Sequence, residues 1–215
     1  IGCCKYSDIT VFSFHPVKII TTAEGGLITT NSKIISDKIA LLRSHGITRN
    51  TDLMRSKNQG SWYYEQIELG LNYRMNELQA ALGLSQLKRL DEFIEKRNKI
   101  KDKYDELLKG LPLLRPFQNK DTHSSFHLYP VLLNLNEIHK SHIEVFNDMR
   151  DSGVGVNLHY IPIHLQPYYK DLGFQLGDFP NSEDYYSREI TLPLFSSMTS
   201  VQHNKVIDVI RKVLK

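Results

Sequence analysis

Residues 12–30 read FSFHPVKIITTAEGGLITT, and what surrounds Lys18 in that run decides how the rest of the chain is read. Ile9 to Phe14 is β-branched and aromatic, which predicts a strand; His15-Pro16 interrupts it, and Ile19 to Thr22 is β-prone again. Glu24-Gly25-Gly26 predicts a turn, and Leu27 to Thr30 a further strand. Lys18 therefore sits among apolar and β-prone neighbours. A lysine held in an apolar pocket has its charged form disfavoured, so a nucleophilic amine becomes available, the state that Schiff-base lysines exploit. The same residues fit a plain lysine at a hairpin tip, pointing into water. Ser13, Thr21 and Thr22 place hydroxyls nearby, and Gly25-Gly26 permits close approach of backbone. Such groups can bind phosphate, and they are equally ordinary strand and turn residues.

Outward from this run, Asn31 or Ser32 caps a helix in which Ile35, Ile39 and Leu42 share a face, ending near His45-Gly46. Residues 47–71 read as a long connection, and loops of that length are usually functional or disordered. Trp62, Tyr63 and Tyr64 speak against disorder. Asn76 with Gln79 fits a capping box, and Gly110 is a natural stop. Between them Leu78, Leu82, Leu87, Leu90, Ile94, Tyr104 and Leu107 recur at roughly helical spacing. One continuous helix there would be about 50 Å long, so it is expected to run between two domains or to bend. Beyond it the pattern predicts a strand over Phe126 to Leu133 and a helix over His142 to Arg150 with Ile143, Phe146 and Met149 inward. A strand over Val154 to Tyr160 and a proline-broken aromatic loop over Pro162 to Tyr169 follow. A last helix is opened by Thr199 with Gln202 and carries Val206, Val209, Ile210 and Val213. This alternation predicts an α/β chain.

Composition excludes several classes. The apolar fraction of 40% supports a core, and a formal charge of +3 with interleaved signs leaves no polybasic footprint for nucleic acid or anionic lipid. The two cysteines, Cys3 and Cys4, are adjacent, a poor geometry for a structural disulfide, which favours a reducing compartment. No apolar stretch approaches the roughly 18 residues of a membrane span. The chain opens on Ile1 rather than Met, which is expected of a segment of a longer protein. His139 with His142, and His159 with His164, lack the Cys or acidic companions of a zinc site, so no metal is expected. Asn72-Tyr73-Arg74, just before the long helix, could hold an anion or could simply cap.

Three runs in order carry a resemblance: residues 12–30, then LGLNYRMNELQAALGLSQLKRLDEFIEKR at 69–97, then GVGVNLHYIPIHLQPYYKDLGF at 153–174. Together they resemble the DegT/DnrJ/EryC1/StrS sugar aminotransferases over essentially the whole chain. The resemblance implies a fold-type I α/β architecture, with residues 1–95 the C-terminal part of a large domain that binds pyridoxal 5'-phosphate (PLP) and residues 96–215 the small C-terminal domain. It implies a cytoplasmic homodimer with shared active sites, L-glutamate as amino donor and a nucleotide-linked 4-keto-6-deoxy sugar as acceptor. The wording around Lys18 and in the third run is most similar to members acting on UDP-linked acetamido sugars of the pseudaminic acid type.

Residue by residue, Lys18 matches the lysine that bonds to PLP and shuttles the proton, and Ser13 the hydroxyl that binds the PLP phosphate. Asn72 matches an asparagine that reaches the partner's PLP phosphate. His159, Tyr160 and His164 fall in the segment expected near the sugar nucleotide, and His15 is expected to line the pocket. Two departures stand out: Ala23 where a glycine is usual, strained if that position needs a positive φ, and Ile19 after the lysine. The family's acidic partner of the pyridine nitrogen and its stacking aromatic have no counterpart here, so the chain is expected to be the C-terminal part of an enzyme, inactive alone. Two rivals are a non-catalytic protein of the same fold and a carbohydrate-binding module built on Trp62, Tyr63, Tyr64, Tyr168 and Tyr169. Relatives that act as dehydratases replace the lysine by histidine, which Lys18 speaks against.

Overall fold

Two antiparallel strands open the chain, β1 (Thr10–Ser13) and β2 (Gly26–Thr29), paired so that Thr10 faces Thr29 and Ser13 faces Gly26. Glycine at position 26 is required by proximity: a Cβ there would stand 2.9 Å from the Phe12 carbonyl oxygen. The chain is described here from a computed structural model, which covers residues 1–56 and 59–215. It divides into two units, Ile1–Leu90 and Asp91–Lys215.

In the first unit the twelve residues between the paired strands form a loop rather than the second β segment expected over Ile19 to Thr22. β-Branched side chains favour extended backbone, but the Phe14 main chain captures this segment instead. Phe14 N–H donates to the Gly25 carbonyl at 2.9 Å, and its own carbonyl accepts from Thr22 N–H at 3.0 Å. Helix α1 (Lys33–Arg43) starts on Ser32, whose hydroxyl accepts from Ile35 N–H. His45 and Gly46 then take positive φ angles of 64° and 68°, which turns the chain out of the helix. The expected long connection contains a short pair, β3 (Ile47–Thr48) with β4 (Glu65–Gln66); its residues 57 and 58 lie outside the described residues. Helix α2 (Glu77–Leu87) begins with the capping box foreseen from Asn76 and Gln79. The helical pattern does not continue unbroken: Lys88 and Arg89 separate α2 from α3 (Leu90–Leu107).

The second unit is built on an antiparallel sheet, β5 (Leu113–Leu114), β6 (Tyr129–Leu133) and β7 (Glu189–Leu192), with β6 in the middle. Helices α3, α4 (His142–Asp151) and α7 (Ser200–Val213) supply the apolar side chains that bury it. Between α4 and β7 the chain forms a 3-10 turn (Ile163–Leu165) and two further helices, α5 (Pro167–Asp171) and α6 (Pro180–Arg188). The core includes Tyr104, Tyr129, Met149, Ile190 and Ile210, all fully buried. Buried hydroxyls need partners, and these have them: Tyr104 donates to the Pro193 carbonyl at 2.8 Å and Tyr129 to Asp105 at 2.6 Å. Arg97 is also buried, and its Nη1 donates to the carbonyls of Phe126, His127 and Leu194.

Two expectations for this unit are corrected. Ile143 does not point inward but is 66% exposed; Val145 and Met149 are the buried pair of α4, with Phe146 half-buried. Packing against α7 selects that face over the one that spacing alone suggested. Val154 to Tyr160 is not a regular strand, since only Asn157 bridges to Thr191 on β7. Neither β7 nor α6 was foreseen. The mixed α/β class itself is present as expected.

Candidate functional site

The lysine loop is organised by one histidine backbone. His15 N–H donates to Ser13 Oγ at 3.4 Å, and the His15 carbonyl accepts from Lys18 N–H at 2.9 Å. The second bond closes a β-turn over His15-Pro16-Val17-Lys18, in which proline presets the φ of the second position. His15 Nδ1 also accepts from Val17 N–H at 3.5 Å. Ser13 and Lys18 are thus held on the same short arc by a residue expected only to line a pocket. Lys18 is half-buried, and its amine has no carboxylate partner among the described residues.

The other hydroxyls of this loop are committed to the loop itself. Thr21 Oγ1 donates to the Phe14 carbonyl at 2.8 Å and accepts from Ala23 N–H at 2.9 Å. Thr22, buried, donates to the Glu24 carbonyl at 2.7 Å. Gly25 leaves room for that closure, because a Cβ there would meet Thr22 Oγ1 at 2.3 Å. These threonine hydroxyls therefore fold the loop and are not free to bind a phosphate. Ser13 differs: its oxygen accepts from His15, while its own proton has no acceptor among the described residues. Ala23 does adopt a positive φ, 66°, so the strain anticipated for alanine at that position is real.

Asn72 lies on the segment beside α1, in an isolated bridge with Ser44, and is exposed. No hydrogen bond joins it to the lysine loop among the described residues. A cleft of this unit, about 490 Å³, is walled by Phe12, Phe14, Ile20, Met75, Leu84 and Leu87 among others. Ser13, Lys18 and Asn72 do not line it. It is an apolar packing surface, not the place where the polar groups converge.

In the second unit His159 and Tyr160 are in ring contact, edge to face, with centroids 4.5 Å apart. His159 N–H donates to Glu189 Oε2 at 2.8 Å, and its Nδ1 lies 2.9 Å from Thr191 Oγ1. Tyr160 is exposed. His164 faces a different set of groups. It is buried, its Nε2 lies 2.7 Å from Glu183 Oε1, and its ring packs 4.8 Å from that of Phe179. The hydrogen bond from His164, helped by Gly177 N–H, holds the Glu183 carboxyl below the usual carboxylate range. Glu183, Glu189 and Thr191 were missed in the sequence. The spacing of Glu189 and Thr191, two apart in a strand and so on one face, is the signal that could have found them. Among the described residues no group of three potential metal ligands assembles.

The likeness to solved structures gives this chain the fold of the PLP-dependent aminotransferases of fold type I. The chain belongs to the DegT/DnrJ/EryC1/StrS aminotransferase family, whose pattern matches residues 2–211. It is 37% identical over 214 residues to UDP-4-amino-4,6-dideoxy-N-acetyl-beta-L-altrosamine transaminase of Campylobacter jejuni, a match that covers 98% of this chain and 54% of that protein. Among solved structures it is similar to Helicobacter pylori PseC, an aminotransferase involved in the biosynthesis of pseudoaminic acid, with a TM-score of 0.86 and 31% identity over 97% of this chain and 54% of that one. The Streptococcus pneumoniae protein Spr1654, solved in its PMP form, gives a TM-score of 0.87 at 29% identity, covering 98% of this chain and 54% of that one. The chain spans about half the length of the curated relatives it matches. No helix among the described residues is long and apolar enough to cross a membrane.

Proposed function

We propose that this chain supplies the lysine-bearing part of a PLP-dependent transaminase that moves an amino group from L-glutamate to carbon 4 of a nucleotide-linked 4-keto-6-deoxy sugar. The observation that carries this reading is the arc on which His15 holds Ser13 and Lys18 through its two main-chain groups. An amine without a carboxylate partner and a hydroxyl with an uncommitted proton are the donor set that an aldehyde-bearing phosphate ester requires. The residues present therefore fit PLP at this end.

When bound, PLP supplies the electron sink that lets an amino group leave its carbon. Lys18 Nζ would hold the cofactor covalently and, once displaced, take a proton from the substrate carbon and return it. Ser13 would donate its hydroxyl proton to the phosphate. His15 keeps both at fixed separation, so that neither has to be ordered when the cofactor arrives. Asn72 is assigned to the phosphate of a second subunit's cofactor, in keeping with a homodimer that shares its active sites and with its lack of bonds to the lysine loop of its own chain. His159, Tyr160 and His164 are assigned to the side of the sugar nucleotide. The relative from Campylobacter jejuni favours a UDP-linked acetamido sugar of the pseudaminic acid type. Residues 1–95 then belong to the large domain and residues 96–215 to the small one, in a cytoplasmic enzyme.

Borohydride reduction of the PLP-loaded protein followed by peptide mass mapping is the direct test. The cofactor mass is expected on the peptide that contains Lys18, and Lys18→Arg is expected to abolish both the adduct and glutamate-dependent amination. An adduct on any other residue, or unchanged turnover in Lys18→Arg, overturns the assignment. Assays with UDP-, GDP- and dTDP-linked 4-keto sugars then decide the acceptor.

A further inference from the structure

We infer that Gly83 and Gln86 of α2 are positioning residues for Lys18, which together seat the lysine loop on that helix. The apolar cleft of about 490 Å³ is lined both by Leu84 and Leu87 of α2 and by Phe12 and Leu27 of the paired strands. At the loop the two sides meet. Thr21 N–H, three residues after Lys18, donates to Gln86 Oε1 at 3.3 Å. Among the described residues, the other hydrogen bonds of residues 14–25 close within residues 13–25. Gln86 thus ties the loop to an element outside the hairpin.

Gly83 lies three residues earlier, on the same face of α2, and lets the helix come close. A Cβ at position 83 would stand 2.7 Å from Thr22 Cγ2, nearer than unbonded carbons pack. That methyl is not free to swing aside. Thr22 Oγ1 donates to the Glu24 carbonyl at 2.7 Å, so turning the side chain breaks that bond. Thr22 N–H donates to the Phe14 carbonyl at 3.0 Å, so moving the backbone breaks another. Nearer the start of α2, Met75 Cε comes within 2.9 Å of the place a Cβ on Gly25 would take. The contacts of Met75, Gly83 and Gln86 fall on Gly25, Thr22 and Thr21 in turn, so the loop lies antiparallel along the helix.

A glycine inside a helix weakens it relative to alanine, and the close approach of Thr22 gives position 83 its reason. The consequence for catalysis rests on the proposed Schiff-base role of Lys18. The bonds at Phe14 and His15 fix the curve of the loop. Gly83 and Gln86 fix where that curve stands on α2, and with it the point from which Lys18 reaches.

Gly83→Ala in the full-length protein separates positioning from packing, because it strengthens the helix while it displaces the loop. In the cofactor-free form, hydrogen exchange over residues 14–25 is expected to quicken roughly tenfold, with none of that quickening across residues 77–87. PLP titrated back is expected to bind roughly tenfold more weakly. Thr22→Ser removes Cγ2 and keeps the Oγ1 bond, so adding it to Gly83→Ala should return both readouts toward the parent. Gln86→Leu, which has no acceptor, should speed exchange at Thr21 about three- to tenfold, whereas Gln86→Glu, which keeps an oxygen there, should not. Parent exchange in Gly83→Ala, equal quickening across α2, or a double variant no better than the single one overturns the inference. Should Gly83→Ala fail to fold, equal exchange at Thr21 in Gln86→Leu and Gln86→Glu overturns it as well. Quicker exchange with unchanged PLP binding overturns the positioning role. A parent that carries no cofactor on Lys18 overturns the proposed Schiff base and leaves the seat of the loop on α2 standing.

Discussion

The two units of this chain are held together by different physics. Asp91–Lys215 contains every buried hydrophobic side chain found among the described residues, centred on Tyr104, Tyr129, Met149 and Ile210. Ile1–Leu90 buries none fully, and shows Val11, Leu78 and Leu84 to solvent. Its order comes from main-chain bonds around Phe14, His15 and His45 and from the caps at Ser32 and Asn76. Burial is non-directional and roughly proportional to apolar area, whereas hydrogen bonds have modest net worth but strict geometry. The second unit closes its own core, whereas the first shows apolar faces, in keeping with a part of a larger domain, beside a loop shaped by directional bonds.

That contrast can be broken by substitution. Met149→Ala should lower the denaturant stability of the second unit by about 2–5 kcal/mol, because a fully buried side chain is lost and a cavity remains. Leu27→Ala in the first unit, at an already exposed position, should change stability by less than about 1 kcal/mol. Equal effects would erase the distinction. Next in size, Arg97→Met should destabilise by roughly 1–3 kcal/mol, since three carbonyls lose their donor; hydrogen exchange at residues 126–133 would report it. A smaller and opposite effect is expected from Ala23→Gly. Relief of a left-handed alanine, partly offset by a freer unfolded chain, should slow hydrogen exchange across residues 14–25 and gain no more than about 1 kcal/mol.

The smallest effect is a pH dependence. His203 is buried against the Tyr104 ring, and burial, with the nearby Lys103 charge, pushes its pKa down. Its Nε2 has no hydrogen-bond partner among the described residues. The unfolded chain then binds the proton more readily, so stability is retained above about pH 6.5 and declines as the pH falls below it. A thermal melting series between pH 5 and 8 should show that slope in the parent and a flatter profile in His203→Leu. The same slope in both would assign it elsewhere.

What could be read in advance was local. The capping boxes at Asn76 with Gln79 and at Thr199 with Gln202 depend on residues three apart, and both are present. The α/β alternation and the inward row of Val206, Ile210 and Val213 follow from periodicity alone. The break at Lys88 and Arg89 was left open because nothing in the residues there is a helix breaker. Strand β7 escaped because two of its four residues, Glu189 and Thr191, are polar and nevertheless buried. A polar residue goes inside only when a partner meets it, and the partner, His159, is thirty residues away. Ser13 and Lys18 were singled out through resemblance; the histidine backbone that binds them to one arc was visible only in three dimensions.

The clasp at Phe14 has one more implication. Every bond that shuts the loop on that residue uses its amide or its carbonyl, and none uses its ring. Mutation can therefore redesign the side chain at position 14 for whatever the neighbouring apolar surface demands without loosening the curve on which the amine rides. Only an edit to the chain itself, such as a proline at Thr22 that deletes the N–H aimed at Phe14, would unfasten it.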